Sequence, residues 1–138
     1  MANLINLPVF TDDSGNLAVV ENILPETIRR IFFIEGKPLK KRGGHRHKKT
    51  THLLICMIGS CKIHVNSGST EFTYLLRSKQ QGLLIPPDDW REMFDFSEDC
   101  ILMCISNSYY DADDYIYQPF ATLQGGIPSS DLATGGPG

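Results

Sequence analysis

The sequence predicts an all-β domain, a sandwich or double-sheet barrel, and three observations carry that expectation. Short β-type segments recur along the chain, turn-forming residues separate them at regular spacing, and helical periodicity is nearly absent. At 138 residues the chain suffices for one domain with a closed core and is short for two. Hydrophobic residues at 41% and charged residues at 21% match soluble globular composition and argue against disorder.

Taken in order, strands are predicted at Leu17 to Glu21, Arg30 to Ile34, His52 to Ile58, Cys61 to Val65, Glu71 to Leu76, Gly82 to Ile85 and Cys100 to Ser106. Each is a run of apolar, β-branched or aromatic residues bounded by turn formers. Asp12-Asp13-Ser14-Gly15 precedes the first, and Asn66-Ser67-Gly68-Ser69 precedes the fifth. Gly59-Ser60, between two apolar runs, predicts a tight hairpin, since glycine accepts the positive φ at the first central position of a type II′ turn. Helical turns are expected only at Pro25 to Arg29, with proline at the start, and from a capping Asp111 to Tyr115. The folded domain is placed at residues 1–120, with a flexible tail at 121–138 whose Gly-, Pro- and Ser-rich stretch runs from Gly125 to Gly138.

A net charge of −3 and a pI near 5.7 supply no chain-wide basic field, so no nucleic-acid partner is expected. No apolar run approaches the roughly 20 residues that span a bilayer, and no secretory leader stands at the N-terminus. A cytoplasmic protein with no membrane partner is expected. That compartment keeps Cys56, Cys61, Cys100 and Cys104 as free thiols. Cys100 and Cys104, evenly spaced in an apolar run, read as core residues sharing one strand face rather than zinc ligands. A basic run, Lys37, Lys40, Lys41, Arg42, Arg46, Lys48 and Lys49, contrasts with acidic Asp111, Asp113 and Asp114. It reads either as a solvated loop or as a contact for an anionic small ligand.

The chemistry concentrates in Arg42-Gly43-Gly44-His45-Arg46-His47-Lys48-Lys49. If Gly44 to Lys48 is extended, alternation points His45 and His47 to one side, so two imidazoles share one cavity. An H-x-H pair in a β-barrel invites a metal, but the next ligand positions hold Thr51 and Arg91. A guanidinium beside a divalent ion is electrostatically unfavourable, and zinc or iron sites normally take three or four protein ligands, so no metal is expected.

These stretches resemble the cupin-type dTDP-4-keto-6-deoxyglucose 3,4-ketoisomerases, the WxcM-like sugar-nucleotide isomerases. The matching residues are Arg42-Gly43 with His45-x-His47-Lys48, Gly59-Ser60-Cys61, Gly82-Leu83 with Pro86 or Pro87 and Trp90, Asp95-Phe96-Ser97, and Ser108-Tyr109-Tyr110-Asp111 with Asp114-Tyr115-Ile116. The resemblance runs from about Asp12 to Phe120. It implies a cupin, a double-stranded β-helix jelly roll, assembled as a homodimer. It also implies a nucleotide-linked keto sugar, a dTDP-sugar, in the barrel mouth, no metal or other cofactor, and a role in deoxyamino-sugar biosynthesis for surface polysaccharide. Three features depart from the family pattern. Phe32-Phe33 stands where a tyrosine pair is usual, so a hydroxyl is missing; H-A-H becomes His45-Arg46-His47; and W-H-E-M-H becomes Trp90-Arg91-Glu92-Met93-Phe94.

A 4-keto group acidifies the C3 proton by delocalising charge onto the C4 oxygen as an enediolate, and an imidazole with an ordinary pKa of about 6.5 suits the transfer. On this chemistry His47 is expected as base or proton shuttle, His45 as its partner, and Arg42 near the developing charge or the diphosphate. Lys48 and Arg91 are further phosphate contacts. Trp90 stacks on a base or plugs the barrel, Tyr109 and Tyr110 offer replacement hydroxyls or packing, and Phe33 marks the lost one. A noncatalytic sugar-nucleotide-binding cupin and a metal-dependent cupin enzyme remain as alternatives.

Overall fold

The computed structural model describes residues 1–121, so the stretch from Gly125 to Gly138 expected to be flexible lies outside the described residues. The strands are β1 (Asn3–Asn6), β2 (Val9–Asp12), β3 (Gly15–Ala18), β4 (Arg30–Ile34), β5 (Arg42–His47), β6 (His52–Ile58), β7 (Cys61–Asn66), β8 (Glu71–Leu76), β9 (Gln81–Ile85), β10 (Trp90–Phe94), β11 (Ile101–Ser106) and β12 (Tyr115–Ile116). They form two five-stranded antiparallel sheets, ordered β1-β9-β6-β11-β4 and β12-β5-β10-β7-β8, with β2 and β3 as a separate hairpin. Together the two sheets make the cupin jelly roll.

The long apolar run of β6 reflects burial on both sides. Leu54 and Cys56 face the main core between the sheets, where Ile63, Leu83, Ile85, Leu102 and Cys104 meet them. Leu53 and Ile55 face outward to a second cluster with Leu7, Leu24 and Ile105, supplied by the N-terminal segment and β11. A strand covered on both faces loses the polar alternation of a half-solvated one. Cys100 and Cys104 both belong to the main core, as expected.

Three predicted details change. Gly59-Ser60 does not close a hairpin: β6 pairs with β9 and β11, whereas β7 pairs with β10 and β8, so this link carries the chain from one sheet to the other. Gly59 does take positive φ, at +74°, and the corner is pinned where Ser60 N donates to Ser97 Oγ and Ser97 N to the Ser60 carbonyl. Pro25 to Arg29 forms no helical turn, because Glu26 sits at φ +62° in the left-handed region that interrupts a right-handed turn. The strand expected from Leu17 to Glu21 is shorter and earlier, Gly15–Ala18. The Asp111 cap holds: its Oδ1 accepts from Asp113 N at 3.0 Å ahead of the short 3₁₀ turn Ala112–Asp114.

β10 was hidden in the sequence by Pro86-Pro87-Asp88-Asp89, yet it is the centre of the second sheet and sets Arg91 opposite His45. A register shift between Arg91 and Glu92 accompanies that pairing. Among the described residues, no helix is long and apolar enough to cross a membrane.

Candidate active site

β5 presents the site. Its entry, Gly43 and Gly44, has φ of +81° and +74°, and a Cβ on Gly43 would lie 3.0 Å from the Arg91 carbonyl and 3.2 Å from Met93 Cε. Only glycine combines that backbone with so close an approach of β10. From there the strand alternates: His45 and His47 turn into the barrel, 1% and 2% exposed, while Arg46 turns out to Asp88. The two imidazole centroids are 4.9 Å apart at 88°, and His52 continues the series 4.8 Å beyond His47.

His47 is oriented from behind. β12 pairs with the end of β5, which delivers the buried Asp114, and the Asp114 Oδ2 lies 2.8 Å from His47 Nδ1. Thr50 Oγ1 donates to the same oxygen, and Lys49 N donates to Oδ1 at 2.8 Å. Burial works to raise the Asp114 pKa, but the hydrogen bonds from Thr50, His47 and Lys49 outweigh it, so the net shift is downward and the carboxylate stays ionised. An ionised carboxylate accepts a proton-bearing Nδ1, which leaves the lone pair of a neutral His47 on Nε2.

Arg91 sits beside these rings, 1% exposed. Its Nε and Nη2 donate to the Asp89 carbonyl at 3.2 and 2.9 Å, Nη2 also to the Pro86 carbonyl at 3.4 Å, and Nη1 to His52 Nδ1 at 2.9 Å. Among the described residues, no carboxylate forms an ion pair with it. Burial lowers its pKa to about 10, so it remains a cation at neutral pH. Burial first, and the Arg91 charge second, push His47 down to about 4 against the opposing pull of Asp114. The same causes push His45 down to about 3 and His52 well below its ordinary value. All three histidines are therefore neutral at pH 7.

Among the described residues, three buried side-chain polar atoms lack a hydrogen-bond partner: Arg42 Nε, His45 Nδ1 and His47 Nε2. All three belong to β5. Buried polar atoms are nearly always paired, so open atoms grouped on one strand make this part of the barrel the candidate ligand position. The family FdtA: WxcM-like, C-terminal matches residues 1–124. This chain belongs to that family. A curated relative, the TDP-4-oxo-6-deoxy-alpha-D-glucose-3,4-oxoisomerase of Aneurinibacillus thermoaerophilus, is 37% identical over 118 residues, covering 83% of this chain and 85% of the relative. A histidine-to-asparagine variant of the 3,4-ketoisomerase QdtA from Thermoanaerobacterium thermosaccharolyticum, solved with TDP-4-keto-6-deoxyglucose, superposes with a TM-score of 0.78 at 38% identity over 85% of this chain and 87% of its own. WlaRA, a TDP-fucose-3,4-ketoisomerase from Campylobacter jejuni, gives 0.79 at 32% identity, covering 85% and 89%.

In this FdtA-family barrel the residues singled out from sequence fall into two groups. Arg42, His45, His47 and Arg91 lie inside it. Arg91 spends its donors on Asp89, Pro86 and His52, a placement that suits an interior charge rather than a diphosphate clamp at the mouth. Trp90 is a plug, 3% exposed, with Nε1 donating to Glu92 Oε2 at 2.8 Å. Tyr109 and Tyr110 line an outer cleft of about 480 Å³ that shares Ser108, both tyrosines and Asp111 with the pocket at His47. Lys48 is exposed and lines neither space; the lysine on the cleft is Lys49, with Arg29. Phe33 faces outward at 63% exposure, and the ring beside the histidines is Phe32, 5.9 Å from His52.

Sequence reasoning missed His52, Asp114 as the partner of His47, Thr50, Arg30 and Tyr115. The Tyr115 ring lies 4.7 Å from that of His45 and 4.5 Å from that of His47, and Arg30 hydrogen-bonds its hydroxyl. The available signal was slight: an aspartate followed by a tyrosine after a capped turn.

Proposed function

We propose that this chain is a sugar-nucleotide 3,4-ketoisomerase, converting a dTDP-4-keto-6-deoxyhexose to its 3-keto isomer. One observation carries the reading: His47 Nε2, buried and unpartnered, on a ring whose Nδ1 is held by an ionised Asp114. A neutral imidazole so held is a base with its lone pair aimed into the barrel.

In the reaction His47 Nε2 takes the C3 proton, and the C3–H electrons delocalise onto the C4 oxygen. Asp114 compensates the imidazolium so formed, while Arg91 and Arg42 supply positive charge toward the enediolate. A proton is then delivered to C4, and the C3 hydroxyl proton is passed to the C4 oxygen, leaving a C3 ketone and a C4 hydroxyl. C3 is oxidised as C4 is reduced within one molecule, so the balance calls for no redox cofactor. Charge stabilisation by two arginines supports a metal-independent reaction. The sugar enters toward His47, and the nucleotide occupies the outer cleft beside Tyr109, where Arg29 and Lys49 face the diphosphate.

The same reading places the catalytic domain at residues 1–120, in the cytoplasm, where four free thiols persist, with a role in deoxyamino-sugar biosynthesis for surface polysaccharide. It pairs the domain as a homodimer. Supporting the dimer are the outward Ile31 and Phe33 of edge strand β4, 52% and 63% exposed, and Phe10 and Leu17 of the β2-β3 hairpin, 66% and 58% exposed. Light scattering at micromolar concentration should give twice the chain mass.

Incubation of the protein with dTDP-4-keto-6-deoxyglucose in D₂O tests the chemistry. Deuterium should appear in the sugar ring together with the 3-keto product. Binding without exchange would make the protein a noncatalytic sugar-nucleotide cupin instead. Activity lost to a chelator and restored by a divalent ion would make it a metalloenzyme.

A further inference from the structure

A second convergence of side chains lies farther along β6, four residues or about 13 Å from His52. Cys56 on β6, Cys61 opening β7 and Cys100 just before β11 bring three sulfur atoms within 4.8 Å of one another. Their residues are 1%, 0% and 2% exposed. Cys56 Sγ is 3.8 Å from Cys100 Sγ and 3.3 Å from the carbonyls of Ile58 and Gly59. Among the described residues, this is the one group of three or more cysteine, histidine or carboxylate side chains close enough to share an ion.

We propose that Cys56, Cys61 and Cys100 form a site for a thiophilic metal ion that accepts three sulfur ligands, with copper(I) as its representative. The donor set selects the ion. Thiolates favour soft metals such as copper(I), and no imidazole or carboxylate completes the group as a fourth ligand of the kind structural zinc takes. The spacing agrees. Sulfurs held about 2.3 Å from a central ion in a trigonal plane stand about 4 Å from one another, close to the 3.8 Å between Cys56 and Cys100.

The location gives the ion a structural consequence. The Gly59-Ser60 corner lies against the group, its Gly59 carbonyl 3.3 Å from Cys56 Sγ, and exposed Asp99 accepts from Ser97 Oγ beside that corner. An ion held there would tie β6 and β11 of one sheet to β7 of the other. Burial, then the neighbouring Cys100, pushes the Cys56 thiol up to about 12, and burial drives Cys61 further upward. The Cys56 and Cys61 thiols are neutral without the ion, and uptake must release their protons, so affinity should rise with pH.

Reduced full-length protein titrated anaerobically with copper(I) in acetonitrile should bind one equivalent. A sulfur-to-copper ultraviolet band and a higher melting temperature should accompany it. X-ray absorption at the copper edge on the unaltered chain should show three sulfur neighbours. Cys56→Ser, Cys61→Ser and Cys100→Ser should each weaken binding by at least about 100-fold, the upper end of what loss of an outer partner costs. Cys104→Ser, which removes the fourth buried thiol, should leave it intact. Failure to retain copper, oxygen or nitrogen neighbours at the edge, or equal weakening by Cys104→Ser would overturn the site. None of these readouts depends on sugar isomerisation.

Discussion

His47 Nδ1 and Asp114 Oδ2 lie 2.8 Å apart with both side chains 2% exposed, a hydrogen bond sealed from water between strands β5 and β12. The carboxylate sets the tautomer, and in the proposed reaction the tautomer decides which nitrogen meets the substrate.

Replacing the base and replacing its orienting partner should therefore differ. His47→Asn should lower kcat by about 10²- to 10⁴-fold, abolish deuterium uptake and leave dTDP affinity nearly unchanged. Asp114→Asn keeps the imidazole but loses the charge that favours the Nδ1 proton. Turnover should drop by about 10²-fold or more, and the acid limb of kcat/KM, expected near the His47 value of about 4, should move lower still. An Asp114→Asn enzyme with wild-type rate and pH profile would remove Asp114 from the mechanism.

Stability should fall with acid before most carboxylates titrate. Burial and Arg91 depress His45 to about 3 and His47 to about 4, against an ordinary 6.5. Between about pH 6.5 and 4 the unfolded chain binds protons that the folded chain refuses, so stability is fully present above 6.5 and drains away through that window. Unfolding free energies from urea titrations at pH 8 to 4 should decline, by up to about 1.4 kcal/mol per pH unit for each histidine. Arg91→Met should raise both histidines toward 6.5 and flatten the decline. A flat wild-type curve would show that the imidazoles are not held neutral.

Much of this site was legible in the sequence, for reasons that also explain what was not. Alternation along a strand is enough to send His45 and His47 to one side, and β6 has the predicted bounds. Asp114 is 67 residues from His47, and no local pattern announces a partner that far away. Gly59-Ser60 has the right turn chemistry, but turn chemistry says nothing about whether the two strands stay in one sheet. Phe32 and Phe33 differ only in parity. With isoleucines at Ile31 and Ile34 apolar residues occur on both faces of β4, so the sequence leaves undecided which phenylalanine faces the barrel.

That parity makes a sharp comparison. Phe33→Tyr adds a hydroxyl on the outer face and should leave turnover unchanged. Phe32→Tyr sets one beside His52 and under the Arg30 guanidinium, which lies 4.3 Å from the Phe32 ring centre, and should change kcat. A change from Phe33→Tyr alone would mean that the outer face reaches a site.

In the proposed binding mode Arg29 and Lys49, which line the outer cleft, face the diphosphate. Saturating dTDP at a hundredfold excess over its Kd should raise stability by about 2.7 kcal/mol. Arg29→Ala and Lys49→Ala should each weaken dTDP in calorimetry, while Lys48→Ala should not. Binding reduced by Lys48→Ala alone would place the nucleotide elsewhere.

Gly59→Ala probes the crossing between the sheets. Left-handed backbone costs an L-residue about 1–2 kcal/mol, and the new Cβ would meet Ser97 Oγ and come within 2.6 Å of Asp99 Oδ1. The melting temperature should fall. An unchanged one would show that the corner relaxes freely.

The pairing of β12 with β5 also orders events in time. β5 is complete at His47, but the strand that brings Asp114 arrives only at Tyr115–Ile116, after every other strand has been synthesised. β6 waits similarly, since its partners β9 and β11 lie far downstream and no local hairpin holds it meanwhile. Such distant pairings fold slowly, in milliseconds to seconds, because loop closure precedes any reward. A chain that ends before Asp114 therefore lacks the carboxylate that orients His47 Nε2, although β5 itself is complete.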